Sequence, residues 1–264
     1  MVKKHLFILI ALVIFALAAP FLIILQGQTA DKKPSATPDP KSSQRSLDEI
    51  KKTFPSVEYT SELAPDESRR AKSAKYDQYK VLNPAIVEDG NEMSFGHWLP
   101  NASPLPIADS EIVVLGKVES AEAYLSSNKN SVYSEFKIEI EKVFKNSKND
   151  EFEGGKFVTA EREGGIVTFP TGFKTWYLVL GQQMPTVNSR YLFFLTHQFP
   201  IFGYREKELF LLTGYEFKDG KIFPLDTPDG GTHPVATFYK GKEESILISD
   251  LKDALKKSKQ ALPK

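Results

Sequence analysis

Between Leu6 and Leu25 the chain reads LFILIALVIFALAAPFLIIL, without one charge, preceded by Lys3, Lys4 and His5. At 1.5 Å rise per residue, about 20 helical residues span about 30 Å, the hydrocarbon thickness of a bilayer. The apolar region of a cleaved signal peptide is shorter, about 7 to 15 residues. The run therefore predicts a retained transmembrane signal anchor over residues 1–25, with the bilayer as its partner. Cleavage at the small-x-small Ala16-Leu17-Ala18 is the alternative, and it leaves Pro20 to Leu25 as an apolar mature terminus. Lys3 and Lys4 stay in the cytoplasm by the positive-inside tendency. The expectation is a single-pass protein of the cell membrane, N-terminus cytoplasmic and C-terminal domain extracytoplasmic. Pro20 kinks the span without breaking it.

The chain has 264 residues, 41% of them hydrophobic, so the portion beyond the apolar run is long enough to bury a real core. Its 34 basic and 34 acidic side chains cancel, which gives no footprint for nucleic acid. The absence of cysteine excludes a disulfide framework, a thiolate nucleophile, lipoprotein-type acylation and cysteine-ligated metal.

Residues 26–46, rich in Gln, Thr, Ser, Lys and Asp with Pro34, Pro38 and Pro40, predict a flexible tether. Residues 47–110 predict short helices and a connector. Leu47, Ile50 and Phe54 fall at helical spacing, and Asp66 to Tyr79 opens on a capping-competent acid after Pro65. The second helix carries Arg69, Arg70, Lys72 and Lys75 with few large apolar residues. That pattern predicts a solvated face, with a membrane-surface or partner-binding helix as the alternative. Val81 to Ser110, with four prolines, reads as irregular.

From residue 111 the period changes to two. Phe136, Ile138 and Ile140 alternate with Lys137, Glu139 and Glu141, a half-buried strand. Ile112 to Val118 is apolar on both faces, and Gly116 within it marks a bend or a close backbone contact. Further strands are expected at Lys156–Glu161, Ile166–Phe169, Thr175–Val179, Arg190–Thr196, Leu209–Lys218 and Lys221–Leu225. Asp219-Gly220 between the last two is a hairpin signal, since its turn requires positive φ at both residues. Leu247, Leu251 and Leu255 form the apolar stripe of a C-terminal helix that closes one face or mouth. The expected fold is mainly β: an antiparallel barrel over 111–264 with a C-terminal helix.

Two resemblances attach to these motifs. The V-x-G-x-V of the first strand, an aromatic second strand ending in KVFK and the late RYLFFL resemble the OB-like barrel of netrin-type modules, used also by tissue inhibitors of metalloproteases. Those inhibitors chelate zinc through an N-terminal cysteine, which this chain lacks, so that route is closed. A longer set looks like a family of uncharacterised bacterial exported, membrane-anchored proteins: SRRAKSAKYD, LPIADSEIVVLGKV, SVYSEFKIEIEKVFK, Glu161-Arg162-Glu163-Gly164-Gly165, GQQMP with Arg190-Tyr191 following, and LLTGYEFKDGKIFPLD. That resemblance implies export and an envelope location, and no activity.

No H-E-x-x-H, G-x-S-x-G or phosphate-binding glycine loop occurs, and no cofactor is expected. Asp226, Asp229 and His233 in LDTPDGGTH carry metal-ligating atoms, but such residues are common in turns. The aromatics Trp176, Tyr177, Tyr191, Phe193, Phe194, Phe199, Phe202 and Tyr204 suit a barrel core, or a carbohydrate or peptide platform. Candidate binding residues are Arg162, Gly164, Gly165, Met184, Arg190 and Tyr191. Each arginine ends a strand beside a loop, where its fork holds either an internal carboxylate or carbonyl, or an acidic partner group. Gly164-Gly165 and Gly230-Gly231 read as turns between strands, and Met184 offers an apolar loop tip or a packing residue. The function expected is a binding or assembly module with an envelope protein partner; a hydrolase of envelope material and a structural spacer are its rivals.

Overall fold

Residues that alternate in polarity need two environments, and the central strands find both. A computed structural model describes residues 52, 54–62, 64, 66–77, 91–97, 103–147, 151–198 and 205–260. The expected anchor, the tether, most of the Leu47–Phe54 helix, and Phe199, Phe202 and Tyr204 lie outside them. Among the described residues no helix is long and apolar enough to cross a membrane. In chain order the elements are β1 (Ser56–Glu58), α1 (Glu67–Ala74), β2 (Asn91–His97), β3 (Ile112–Leu125), β4 (Val132–Lys145), β5 (Phe157–Glu163), β6 (Gly165–Thr168), β7 (Lys174–Leu180), β8 (Arg190–Gln198), β9 (Arg205–Lys218), β10 (Lys221–Pro224), a 3-10 turn (Pro228–Gly231), α2 (Pro234–Thr237) and α3 (Glu244–Gln260).

Five strands close a barrel in the order β3-β4-β5-β9-β8, with β8 returning to β3. Four of its five pairings are antiparallel. The fifth, β5 with β9, is parallel, so the barrel is mixed where the sequence predicted an antiparallel one. Parity is the reason: a closed ring with an odd number of strands cannot alternate in direction at every neighbour. Counting strands along the sequence does not reveal how many of them close the ring.

The side chains pointing inward fill the interior. Phe136, Ile138 and Ile140 from β4 meet Ile112, Val114 and Val118 from β3, Tyr191, Phe193 and Leu195 from β8, and Leu209 and Leu211 from β9. At Gly116 a Cβ would lie 2.6 Å from the Glu139 carbonyl, the close backbone contact expected there. Outward-facing Val113, Leu115, Leu192, Phe194, Tyr215 and Phe217 form a second core with Leu247, Leu251 and Leu255 of α3. The C-terminal helix thus covers a wall of the barrel.

A four-stranded sheet, β1-β6-β7-β2, stands beside the barrel. Its β1 and β2, which run parallel to β6 and β7, come from the stretch read as short helices and connector. They escaped prediction because SVE is only three residues long and the alternation in NEMSFGH is confined to Met93 and Phe95, inside a stretch otherwise marked by prolines.

The β9–β10 hairpin turns through Asp219 at φ 51° and Gly220 at φ 72°, with Lys218 opposite Lys221. Both central residues are left-handed, as a two-residue turn matching strand twist requires. Gly220→Val is expected to destabilise the domain by about 1 kcal/mol or more, because a β-branched residue resists positive φ. Thermal denaturation checks this, and an unchanged melting temperature would show that the turn does not set the register.

Candidate functional site

Glu135 of β4 and Glu161 of β5 are direct cross-strand partners, so two like charges stand side by side on the outer wall of the barrel. Such a pairing is destabilising unless cations answer it. The cations come from α1. Asp66 caps this helix by accepting from the Ser68 and Arg69 amides at 3.1 and 3.2 Å. Its sequence, ESRRAKSA, holds no large apolar residue. Arg69, Lys72 and Lys75 recur every three residues and so share one face.

That face lies against the barrel. Arg69 Nη1 donates to Glu135 Oε1 at 2.5 Å, and Lys72 Nζ to the same oxygen at 2.8 Å. Lys72 also reaches Glu161 Oε1 at 3.1 Å. Lys75 Nζ lies 3.4 Å from Glu161 Oε2 and 2.8 Å from Glu208 Oε2 on β9. Just past α1, the Tyr76 hydroxyl donates to Glu161 Oε2 at 2.6 Å. The Tyr76 ring stacks on Tyr133 at 4.1 Å between centroids, Arg69 lies 3.7 Å over the Tyr124 ring, and Lys75 lies 5.2 Å from that of Phe210. Glu161 is 1% exposed. The basic face expected to be solvated is therefore an ion-paired interface with three strands. Burial lowers the affinity of Lys72 for its proton, but Glu135 and Glu161 outweigh it and hold the ammonium above its ordinary pKa. Burial raises Glu208, but the hydrogen bond from Lys75, a backbone amide and the charges of Lys75 and Lys72 together outweigh it and hold the carboxyl below its usual range. Burial, with Glu161 adding to it, pushes the Tyr76 phenol well up.

The residues singled out in the sequence fall elsewhere. Arg162 is 2% exposed and turned into the end of the barrel. Its Nη2 donates to both Asp226 oxygens at 2.8 and 2.7 Å, and its Nη1 to the Gln183 carbonyl at 2.5 Å. The Gln183 amide returns a bond to Asp226 at 3.0 Å. Burial pulls the Arg162 pKa down, and Asp226 opposes it. Gly164 and Gly165, read as a turn, instead form the junction where β5 leaves the barrel and β6 enters the second sheet. At Gly164, φ is 101° and a Cβ would lie 2.7 Å from the Tyr177 carbonyl and 2.9 Å from Met184 Cε, so no other residue fits. Met184 is 1% exposed, and Tyr191 is fully buried with its hydroxyl accepting from the Thr186 amide at 3.0 Å. These residues line one buried end of the barrel. Arg190 lies apart, on the surface, bridging Glu141 of β4 at 2.6 Å and Glu244 of α3 at 2.7 Å.

Asp226 is thus engaged by Arg162, while His233 caps α2 by accepting from the Val235 amide at 3.2 Å. Among the described residues no three His, Cys, Asp or Glu side chains converge on a metal position. A cavity of about 20 Å³ between α1 and the β3–β4 turn, bounded by Arg70, Ser73 and Ser126, has room for one water. The acidic wall under α1 was missed because amphipathicity is scored on apolar residues, whereas the matching signal is charge: acids at outward positions of β4 and β5, and cations at helical spacing in α1.

Arg162→Lys should lower stability by roughly 3 kcal/mol, because an ammonium cannot reproduce the planar fork of a buried pair. Arg190→Lys should change it by less than about 1 kcal/mol, as for exposed ion pairs. Chemical denaturation of both variants checks this, and equal losses would contradict it. Lys72, raised, stabilises docked α1 below the ordinary lysine pKa and ceases to as pH rises through its folded value; Glu208, lowered, does so above the ordinary carboxylate pKa and ceases to as pH falls through its folded value. Amide protection of Arg69 to Lys75 should therefore be greatest between about pH 5 and 10 and decline on either side. A profile that keeps rising beyond this window would contradict the ion-pair account. Compared with known proteins, the chain matches no family model, no curated protein and no solved structure.

Proposed function

We propose that this chain is a membrane-anchored, extracytoplasmic β-barrel module that binds or helps assemble a protein partner of the cell envelope. Residues 6–25 hold it in the bilayer, and the barrel lies outside the cytoplasm. The observation that carries the reading is the filled interior: Phe136, Tyr191, Phe193 and the aliphatic residues around them occupy the space a ligand would need. A barrel packed by its own side chains works through its outer walls and loops, which favours macromolecular contact over small-molecule chemistry. The strand order, with its single parallel pairing, supports an OB-like barrel of the kind the netrin-type resemblance implies. The longer resemblance, to exported bacterial proteins, supports the location.

Crosslinking in native membranes, with partner identification, tests the function; alkaline extraction and protease treatment of intact spheroplasts test the topology. The expected result is a membrane-retained chain with Lys264 outside and a reproducible crosslinked protein. Recovery as soluble mature chain would overturn the anchor. A membrane-retained chain without a crosslinked protein would overturn the module reading and favour a spacer.

A further inference from the structure

The surface beneath α1 has a defined chemistry. Glu135, Glu161 and Glu208 project from three adjacent strands, and Tyr124, Tyr133 and Phe210 offer rings beside them. The segment lying on it docks through three cations at positions i, i+3 and i+6 and an aromatic ring at i+7, with no large aliphatic side chain within the helix. An interface built this way selects for charge spacing rather than for shape. Buried ion pairs add little net stability compared with an apolar contact of the same size, while they discriminate strongly between partners.

We propose that this acidic, aromatic wall is a receptor for basic helical segments, occupied within the chain by α1, and that its partner is an envelope protein presenting a helix with Arg or Lys at i, i+3 and i+6 and Tyr or Phe at i+7. Charge complementarity carries the assignment. The cross-strand Glu135–Glu161 pair leaves a repulsion that a cationic occupant removes, and α1 shows the spacing that removes it. The wall is therefore not left bare; one basic helix exchanges for another. Contacts beyond the ion pairs set how readily α1 leaves: Ser73 Oγ lies 3.2 Å from the Tyr133 hydroxyl, Ser131 Oγ donates to the Tyr76 carbonyl at 2.7 Å, and Asp77 receives the Asn128 amide at 2.8 Å and the Ser127 hydroxyl. This inference rests on the reading of the chain as a binding module, and the two fail separately. An envelope partner captured on another surface would leave the module standing and remove this receptor.

The probe is a fluorescein-labelled peptide copying residues 64–79, titrated into the full-length chain in detergent. Weakening the internal occupant by Lys72→Ala with Lys75→Ala should tighten peptide binding at least tenfold over wild type. Raising NaCl from 50 to 500 mM should weaken it at least tenfold. A peptide with Gln at the three cationic positions should not bind. Lack of binding to a double variant whose barrel amides remain protected would overturn the proposal. If the variant does not fold, hydrogen exchange of the wild-type chain decides. Faster exchange of α1 than of β4 and β5, increasing with salt, supports an exchangeable occupant. Exchange of α1 only together with the barrel, at both salt concentrations, overturns it. Sedimentation distinguishes the source: salt-sensitive dimers formed without peptide would assign the wall to α1 of a second copy and overturn the envelope-protein assignment.

Discussion

Two carboxylates on neighbouring strands, Glu135 and Glu161, make a demand that the rest of the fold has to meet. The strands cannot shift register to separate them, since a shift of one residue would turn Phe136 and Ala160 outward and the ring of core side chains with them. The repulsion is instead answered from outside by a helix with no other means of attachment than charge, one flanking tyrosine and hydrogen bonds. The barrel acquires a wall whose occupancy is governed by electrostatics, while the wall under α3 is governed by the apolar stripe of Leu247, Leu251 and Leu255. The two helices respond to different conditions: α3 follows the hydrophobic core, and α1 follows ionic strength and pH.

Arg162 handles the same problem at the end of the barrel in the reverse sense. A guanidinium removed from water requires a carboxylate and carbonyl acceptors together, and it draws them from Asp226 and the 182–183 loop. Those segments come after β10 and β7, so one buried charge ties the second sheet and the hairpin to β5. Removing either member would leave the other charge stranded, which makes the pair a constraint on conformation more than a reserve of stability.

The sequence made the strands legible because period two is a local property. All eight strands from β3 to β10 fall where alternation, apolar runs or the Asp219-Gly220 turn placed them, within a few residues except where β3, β9 and their partners extend into longer hairpins. The direction of β9 relative to β5 was not legible, since it depends on how many strands close the ring. Neither were β1 and β2, which take their extended form from pairing with β6 and β7 rather than from their own residues. Among the candidate residues, the arginine fork of Arg162 was recognisable and its internal acceptor was one of two options the sequence left open. The acidic wall was readable only by treating charge as a periodic signal, since its members come from β4, β5 and β9 and meet α1 through contacts more than 60 residues apart in the chain.

The parallel pairing of β1 with β6 also has a mechanical meaning. Ser56 lies opposite Ile166 and Glu58 opposite Thr168, so the beginning of β1 and the Gly164–Gly165 junction with the barrel stand at the same end of the pair. Tension between the chain that enters β1 and the barrel therefore acts at one end of the ladder. It opens the rungs in succession, from the Ile166 amide on the Pro55 carbonyl to the Tyr59 amide on the Thr168 carbonyl, instead of shearing them all at once. Only β1 peels in this way, and Phe54 just before it, buried among the core residues of the barrel, is the hold that has to be withdrawn first.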